Sequence, residues 1–180
     1  MFGNGKLSYS GSESYRYLKH VLNGKGPLLV VSPYIDVYYA SALKRISASR
    51  KVYVIASSID DKARKYLIHR RISWNFLALA LIFLVASIVL GLLSLLVSIA
   101  FFEVFLMRYK TPSNIFIKAP ASFVHAKIYI SDEAALYGSA NLTYAGMHKN
   151  IEHIELTRNK DEIKSLSRQF WKLWRSASKD

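Results

Sequence analysis

The residues best suited to chemistry lie close together, in HAKIYISD followed by GSAN: His125, Lys127, Asp132, Gly138, Ser139 and Asn141. Side chains alternate along a β-strand, so His125 and Lys127 are expected on one face of it. A histidine beside an ammonium suits a phosphodiester. The lysine can bind phosphoryl oxygens and offset developing charge, while a neutral imidazole can attack phosphorus or shuttle a proton. Asn141 adds a neutral donor for an equatorial oxygen, Ser139 a hydroxyl, and Gly138 room for close backbone approach. In IEHIELT, Glu152 alternates with Ile154 and Leu156 and is expected to share their inward face. An inward carboxylate needs a partner, and the partner expected here is the imidazole of the active histidine, fixing its tautomer.

A single His-x-Lys on a strand is common surface decoration. The ordered set is specific: His-x-Lys, an aspartate five residues on, then Gly-Ser-x-Asn. It resembles the signature of the phospholipase D superfamily, matched at His125, Lys127, Asp132, Gly138, Ser139 and Asn141. The continuation LTYAGMHKNIE, with Asn150 and Glu152, is similar to nuclease-type members, as is the early segment Ser32-Pro33-Tyr34-Ile35. The resemblance implies a two-step displacement without metal or cofactor, in which one histidine becomes a phosphohistidine and a second protonates the leaving oxygen and later activates water. It implies that Lys127 and Asn141 bind phosphate, that Ser139 assists and that Glu152 orients His125. Asp132, although part of the signature, falls in a turn and reads as structural. Two such motifs are needed per site. No other histidine here is followed two places on by lysine, so the resemblance implies a homodimer that joins two His125 side chains across a two-fold axis.

The elements that must position these groups alternate. Ser10 and Glu13 have capping-box spacing and open a helix over 12–22, closed by Asn23-Gly24. Strands are expected at 28–31, 51–56, 114–118, 123–130, 134–138 and 151–157, and helices at 37–47 and 161–176. Ile163, Leu166, Phe170, Leu173 and Trp174 form the apolar stripe of the last helix, and Trp171 and Trp174 are suited to packing on the sheet or to a membrane surface. The fold class is α/β, a mixed β-sheet flanked by helices as in phospholipase D-like proteins.

One segment departs from that pattern. From Ile72 to Phe102 there is no charged residue, and Ile72–Met107 carries only Glu103. The run divides at Gly91 into two pieces, Trp74–Leu90 and Leu92–Met107, each near the lower length for a bilayer span. Lys62, Arg64, Lys65, Arg70 and Arg71 precede it, and Arg108 and Lys110 follow. Basic flanks favour the cytoplasmic side. Two basic flanks therefore predict an inserted transmembrane hairpin of two spans rather than one long helix. Ser87, Gly91, Ser94 and Ser98 are the small residues expected between its helices, and Glu103 is expected at an interface. The expected organisation is a discontinuous catalytic domain, 1–71 with 108–180, and a hairpin over 72–107.

The chain has 180 residues and a formal charge of +13; outside Ile72–Met107 it carries 25 basic against 11 acidic residues. This excludes an acidic or disordered class. No cysteine is present, which excludes disulfides, cysteine-ligated metals and thiol chemistry. With no secretory signal at its start, a multi-pass membrane protein with a cytoplasmic catalytic domain is expected. The charge suits a polyanion, and nucleic acid is the first expectation for a substrate. Anionic phospholipid is the second, and a non-catalytic scaffold that binds nucleic acid at a membrane is the third.

Overall fold

In the computed structural model, residues 5–6, 11–68, 74–110 and 114–179 are described. Ser10, Arg70 and Arg71, singled out above, lie outside them. The chain divides into two compact units, 1–68 with 114–180, and 69–113.

The first unit is built on apolar strands buried on both faces. In chain order it contains β1 (Gly5–Lys6), α1 (Gly11–Leu22), β2 (Leu28–Val31), β3 (Tyr34–Ile35), α2 (Val37–Ile46), β4 (Val52–Ile55), β5 (Ser58–Ile59) and α3 (Asp61–Ile68). Helices α4 (Trp74–Leu90) and α5 (Leu92–Lys110) form the second unit. The first resumes with β6 (Ile115–Ala119), β7 (Lys127–Ile130), β8 (Ala135–Gly138), α6 (Tyr144–His148), β9 (Ile154–Thr157), α7 (Lys160–Ser176) and β10 (Ser178–Lys179).

Eight strands make one sheet in the order β1-β9-β8-β7-β2-β4-β6-β10. β2, β4 and β6 run parallel; β7, β8 and β9 are antiparallel neighbours. The mixed sheet is flanked by helices, as expected from the alternation of elements. The run LLVV of β2 shows why. Leu28 and Val30 join one core with Leu18, Leu43 and Tyr129, while Leu29 and Val31 join another with Ile163 and Phe170 of α7. Both faces are dry, so no polar residue interrupts the strand. Trp171 and Trp174 pack edge-on against Tyr53 of β4, at 4.9 and 5.3 Å between ring centroids. The side chain of Asp36 caps α2 by accepting from the Tyr39 amide at 3.0 Å. Sequence patterning missed the short strands β1, β3, β5 and β10 and the single turn α6, which are too brief to carry a period.

In the second unit, the helices part at Gly91, which adopts φ 75°. Ala80, Ser94 and Ser98 are buried, and Ser98 Oγ donates to the Ala80 carbonyl at 2.7 Å. Gly91 and Ser94 thus take up the turn and the seam. The expectation of two membrane spans is corrected: among the described residues, no helix is long and apolar enough to cross a membrane. At about 1.5 Å per residue, the 17 residues of α4 reach about 26 Å. A hydrocarbon core is about 30 Å thick. α5 is longer at 19 residues, but Glu103 interrupts it and Arg108 and Lys110 end it.

Candidate active site

Register brings the signature together. In the antiparallel pair β7–β8, Lys127 lies opposite Gly138, and Gly138 in turn lies opposite Ile154 of β9. The start of β7, the end of β8 and the approach to β9 therefore meet at one end of the sheet. The carboxyl end of β2 arrives there too, because Val31 pairs with Ile128.

His125 lies outside the strand expected for it: β7 begins only at Lys127. The preceding residues are held differently, with the Val124 amide donating to Ser57 Oγ at 3.0 Å and that hydroxyl donating back to the Val124 carbonyl at 3.3 Å. The two side chains nevertheless meet. Lys127 Nζ lies 3.1 Å from His125 Nδ1 and 3.2 Å from Nε2, and donates to the His125 carbonyl at 2.7 Å. His125 is exposed, whereas Lys127 is only 4% exposed. Burial holds the Lys127 ammonium below its ordinary pKa, with the Glu152 carboxylate acting in the opposite direction.

Glu152 departs from the expectation. β9 starts at Ile154, so Glu152 belongs to the segment before the strand. Its carboxylate accepts from Ser139 Oγ at 2.5 Å and from Asn150 Nδ2 at 3.1 Å. Within one chain, its hydrogen-bond partners among the described residues are thus Ser139 and Asn150 rather than the His125 ring. Ser139 is fixed from both sides, its amide donating to the His153 carbonyl and its hydroxyl accepting from the His153 amide at 2.9 Å.

That close pairing explains Gly138. It has φ 152°, and a Cβ placed there would come within 2.0 Å of the His153 carbonyl oxygen. Asn141 follows on a loop tied down by Tyr129, which sequence reasoning did not single out, and by Ser32 of the early segment that it did. Tyr129 OH donates to the Ala140 carbonyl at 2.7 Å, and Ser32 Oγ accepts from the Leu142 amide at 2.9 Å. The segment Ser32-Pro33-Tyr34 thus serves as an anchor. Asn141 Oδ1 is buried with no hydrogen-bond partner among the described residues.

Asp132 is not brought to this cluster. It follows β7, at the opposite end from Lys127, where its amide donates to the Lys25 carbonyl and its carboxylate stands over Gly26. Its role there is in the turn.

Two further groups border the site. Phe123 and Tyr34 are 59% and 47% exposed, with Phe123 6.1 Å from the His125 ring and 6.2 Å from Tyr34. Farther along α2 and α6, His148 stacks on Tyr144 at 4.6 Å and meets the Tyr39 hydroxyl through Nε2 at 3.2 Å. Burial lowers the pKa of His148, and Asp36 opposes the shift. Among the described residues, no group of three or more His, Cys, Asp or Glu is disposed to hold a metal ion.

An α/β fold with histidine, buried lysine and serine near one end of a mixed sheet is similar to that of phospholipase D-like domains. Residues 99–174, less than half of the chain, match the family described as "Cardiolipin synthase, PLD-like domain". Among solved structures, NucT from Helicobacter pylori superposes with a TM-score of 0.60 at 14% identity, covering 98% of this chain and 96% of its own. Nuc from Salmonella typhimurium, a phospholipase D family member, gives 0.55 at 18% identity over 94% and 91% of the two chains. TrmBL2, an archaeal chromatin protein with a novel mode of DNA binding, gives 0.54 at 11% identity over 96% of this chain and 52% of its own. Among curated proteins, none matches the sequence. The partial family match and the shared fold support a phosphodiester hydrolase similar to phospholipase D-like proteins.

Proposed function

We propose that this protein is a metal-independent phosphodiesterase acting on nucleic acid through a phosphohistidine, with a site completed by two protomers. The observation that carries this reading is the ammonium of Lys127, buried yet directed at the exposed His125 ring. A buried charge is costly unless something anionic shares it. A phosphodiester at His125 would supply that charge.

In the proposed first step, an imidazole nitrogen of one His125 attacks phosphorus. The P–N bond forms as the P–O bond to the leaving strand breaks, and the His125 of the second protomer gives its proton to the departing oxygen. In the second step that same histidine takes a proton from water, whose oxygen displaces the first imidazole. Lys127 and Asn141 bind the non-bridging oxygens. Ser139 and Asn150 hold the Glu152 carboxylate facing the ammonium, so that the field around the phosphorus is set before substrate arrives.

Nucleic acid is favoured as substrate by the exposed rings of Phe123 and Tyr34 beside His125, which can stack on bases, together with the basic charge of the chain. The neighbours NucT and TrmBL2 agree with this choice, while the family name, cardiolipin synthase, supports phospholipid as the second reading. The test is cleavage of single- and double-stranded DNA and RNA in EDTA by the full chain and by His125→Ala. The expected result is EDTA-resistant cleavage, lost in a variant of unchanged melting temperature. Headgroup release from phospholipid vesicles without cleavage of any polynucleotide would transfer the assignment to the second reading.

A further inference from the structure

The hairpin of α4 and α5 is not used by this chemistry, and its exposed surface is apolar along its length. Leu81, Ile82, Val85 and Ile88 of α4 are 53–85% exposed, and Leu92 and Leu93 of α5 are 71% and 76% exposed. At 100° per residue, Leu81, Ile82, Val85 and Ile88 share an arc of about 120°, and Leu79 and Leu90, 37% and 69% exposed, carry the apolar surface beyond it around α4. A helix that docks on a protein offers one apolar stripe and keeps a polar face for water. Here no polar face exists: between Phe76 and Phe102 the only non-apolar residues are Gly91 and three serines.

The serines give a second, independent sign. Ser87 Oγ donates to the Leu84 carbonyl at 2.6 Å, Ser94 Oγ to Gly91 at 2.9 Å, and Ser98 Oγ to Ala80 at 2.7 Å. All three hydroxyls are satisfied within the hairpin, as a hydrocarbon surrounding demands and water does not. The turn is equally dry. Gly91 reverses the chain alone, its amide donating to the Ser87 carbonyl at 3.0 Å, and leucines flank it on both sides.

We propose that this hairpin is a re-entrant lipid anchor, which enters a bilayer from one side, buries its Gly91 tip in the acyl chains and returns without crossing. The uncharged stretches set the depth. Phe76–Leu90 and Leu92–Phe102 extend about 22 Å and about 16 Å at 1.5 Å per residue, short of the roughly 30 Å hydrocarbon core. Asn75 and Glu103 end these stretches on the two helices and mark the headgroup level. Lys62, Arg64, Lys65, Arg70 and Arg71 before the hairpin, with Arg108 and Lys110 after it, are the charge complement of anionic headgroups. A tip without a polar loop has nothing to present to water on the far side. A second copy of the hairpin would cover one face only and leave the others exposed.

The absence of cysteine makes the test clean, since any introduced thiol is unique. The full chain would be bound to vesicles of phosphatidylcholine and phosphatidylglycerol, as Asn75→Cys and, separately, as Leu92→Cys. Each would be challenged with a membrane-impermeant maleimide, added outside or trapped in the lumen. The proposal expects flotation with the vesicles, labelling of Asn75→Cys from outside, and loss of labelling of Leu92→Cys from either side until detergent is added. Labelling of Leu92→Cys from the lumen would show a crossing hairpin; labelling from outside would show one that never inserts. Either result overturns the proposal, as does failure to float. The catalytic reading stands or falls separately, by cleavage in detergent.

Discussion

Lys127→Met separates catalysis from packing at the proposed site. The side chain is 4% exposed, and its ammonium has one strong partner, the His125 carbonyl at 2.7 Å. Removing that charge-assisted bond costs about 1.5–3 kcal/mol. It is offset by relief from burying an ammonium, a penalty visible in the lowered pKa, and methionine fills a similar volume without charge. The net change in stability is expected within about 1 kcal/mol, or ~2–4 °C in Tm for a chain of this size. Catalysis has no such offset. Loss of one preorganised charge on the phosphoryl oxygens is expected to lower kcat by about 10²–10³, equivalent to roughly 2.7–4 kcal/mol. A pH dependence follows. Because the folded-state pKa lies below the unfolded value of 10.5, the unfolded chain binds more protons between the two. The burial penalty is present in full below the folded pKa and fades as pH rises toward 10.5, so wild-type stability gains a rising contribution in that window. Lys127→Met should lose it. Thermal denaturation from pH 7 to 10.5, with single-turnover cleavage on the same samples, measures both. A fall in Tm of more than ~10 °C, well beyond that expected shift, accompanied by loss of activity, would mean that Lys127 is structural, and full activity in a stable variant would remove it from the site.

Gly138→Ala should be more damaging than any nearby alanine substitution, because φ 152° and the His153 carbonyl at 2.0 Å both oppose a Cβ. We expect a loss of at least about 1–3 kcal/mol from the strained backbone, read by denaturant unfolding, with a drop in activity as Ser139 shifts. His148 is held below its ordinary pKa by burial, so its contribution is present above about 6.5 and lost as pH falls through the lowered folded value. His148→Phe should flatten that acid limb in a Tm–pH profile. If two His125 side chains share each site, co-refolding equal amounts of wild type and His125→Asn should leave about a quarter of the wild-type activity per chain pair, against about half for independent sites.

The sequence carried much of this site, but unevenly. The apolar run of β2 and the spacing of His125, Lys127, Ser139 and Asn141 were legible because each depends on local pattern. The division of the hairpin at Gly91 was legible for the same reason. What failed was inference that needed register. Glu152 alternates with inward residues on paper, yet β9 begins two residues later and the carboxylate goes to Ser139 and Asn150. Asp132, by contrast, read as a turn residue from the sequence, and it stands at the far end of the strand from Lys127, over Gly26. Tyr129 carries no signal of its own, since a buried tyrosine reads as core, and Ser32 is marked only as part of a segment similar to nuclease-type members, with no partner assigned. Only the sheet order reveals that both pin the Asn141 loop. The membrane spans were overread because basic flanks report which side the ends prefer and say nothing of depth.

The central claim is that the imidazole of His125 becomes bonded to phosphorus. It is tested most directly by mixing the full chain in EDTA with an oligonucleotide labelled at the scissile phosphate and quenching within one turnover in alkaline denaturant. The account predicts protein-bound label that is stable in base, labile in acid, mapped to His125 and missing from His125→Asn. Rapid cleavage with no label on the protein at any quench time, or label mapped to another residue, would contradict it.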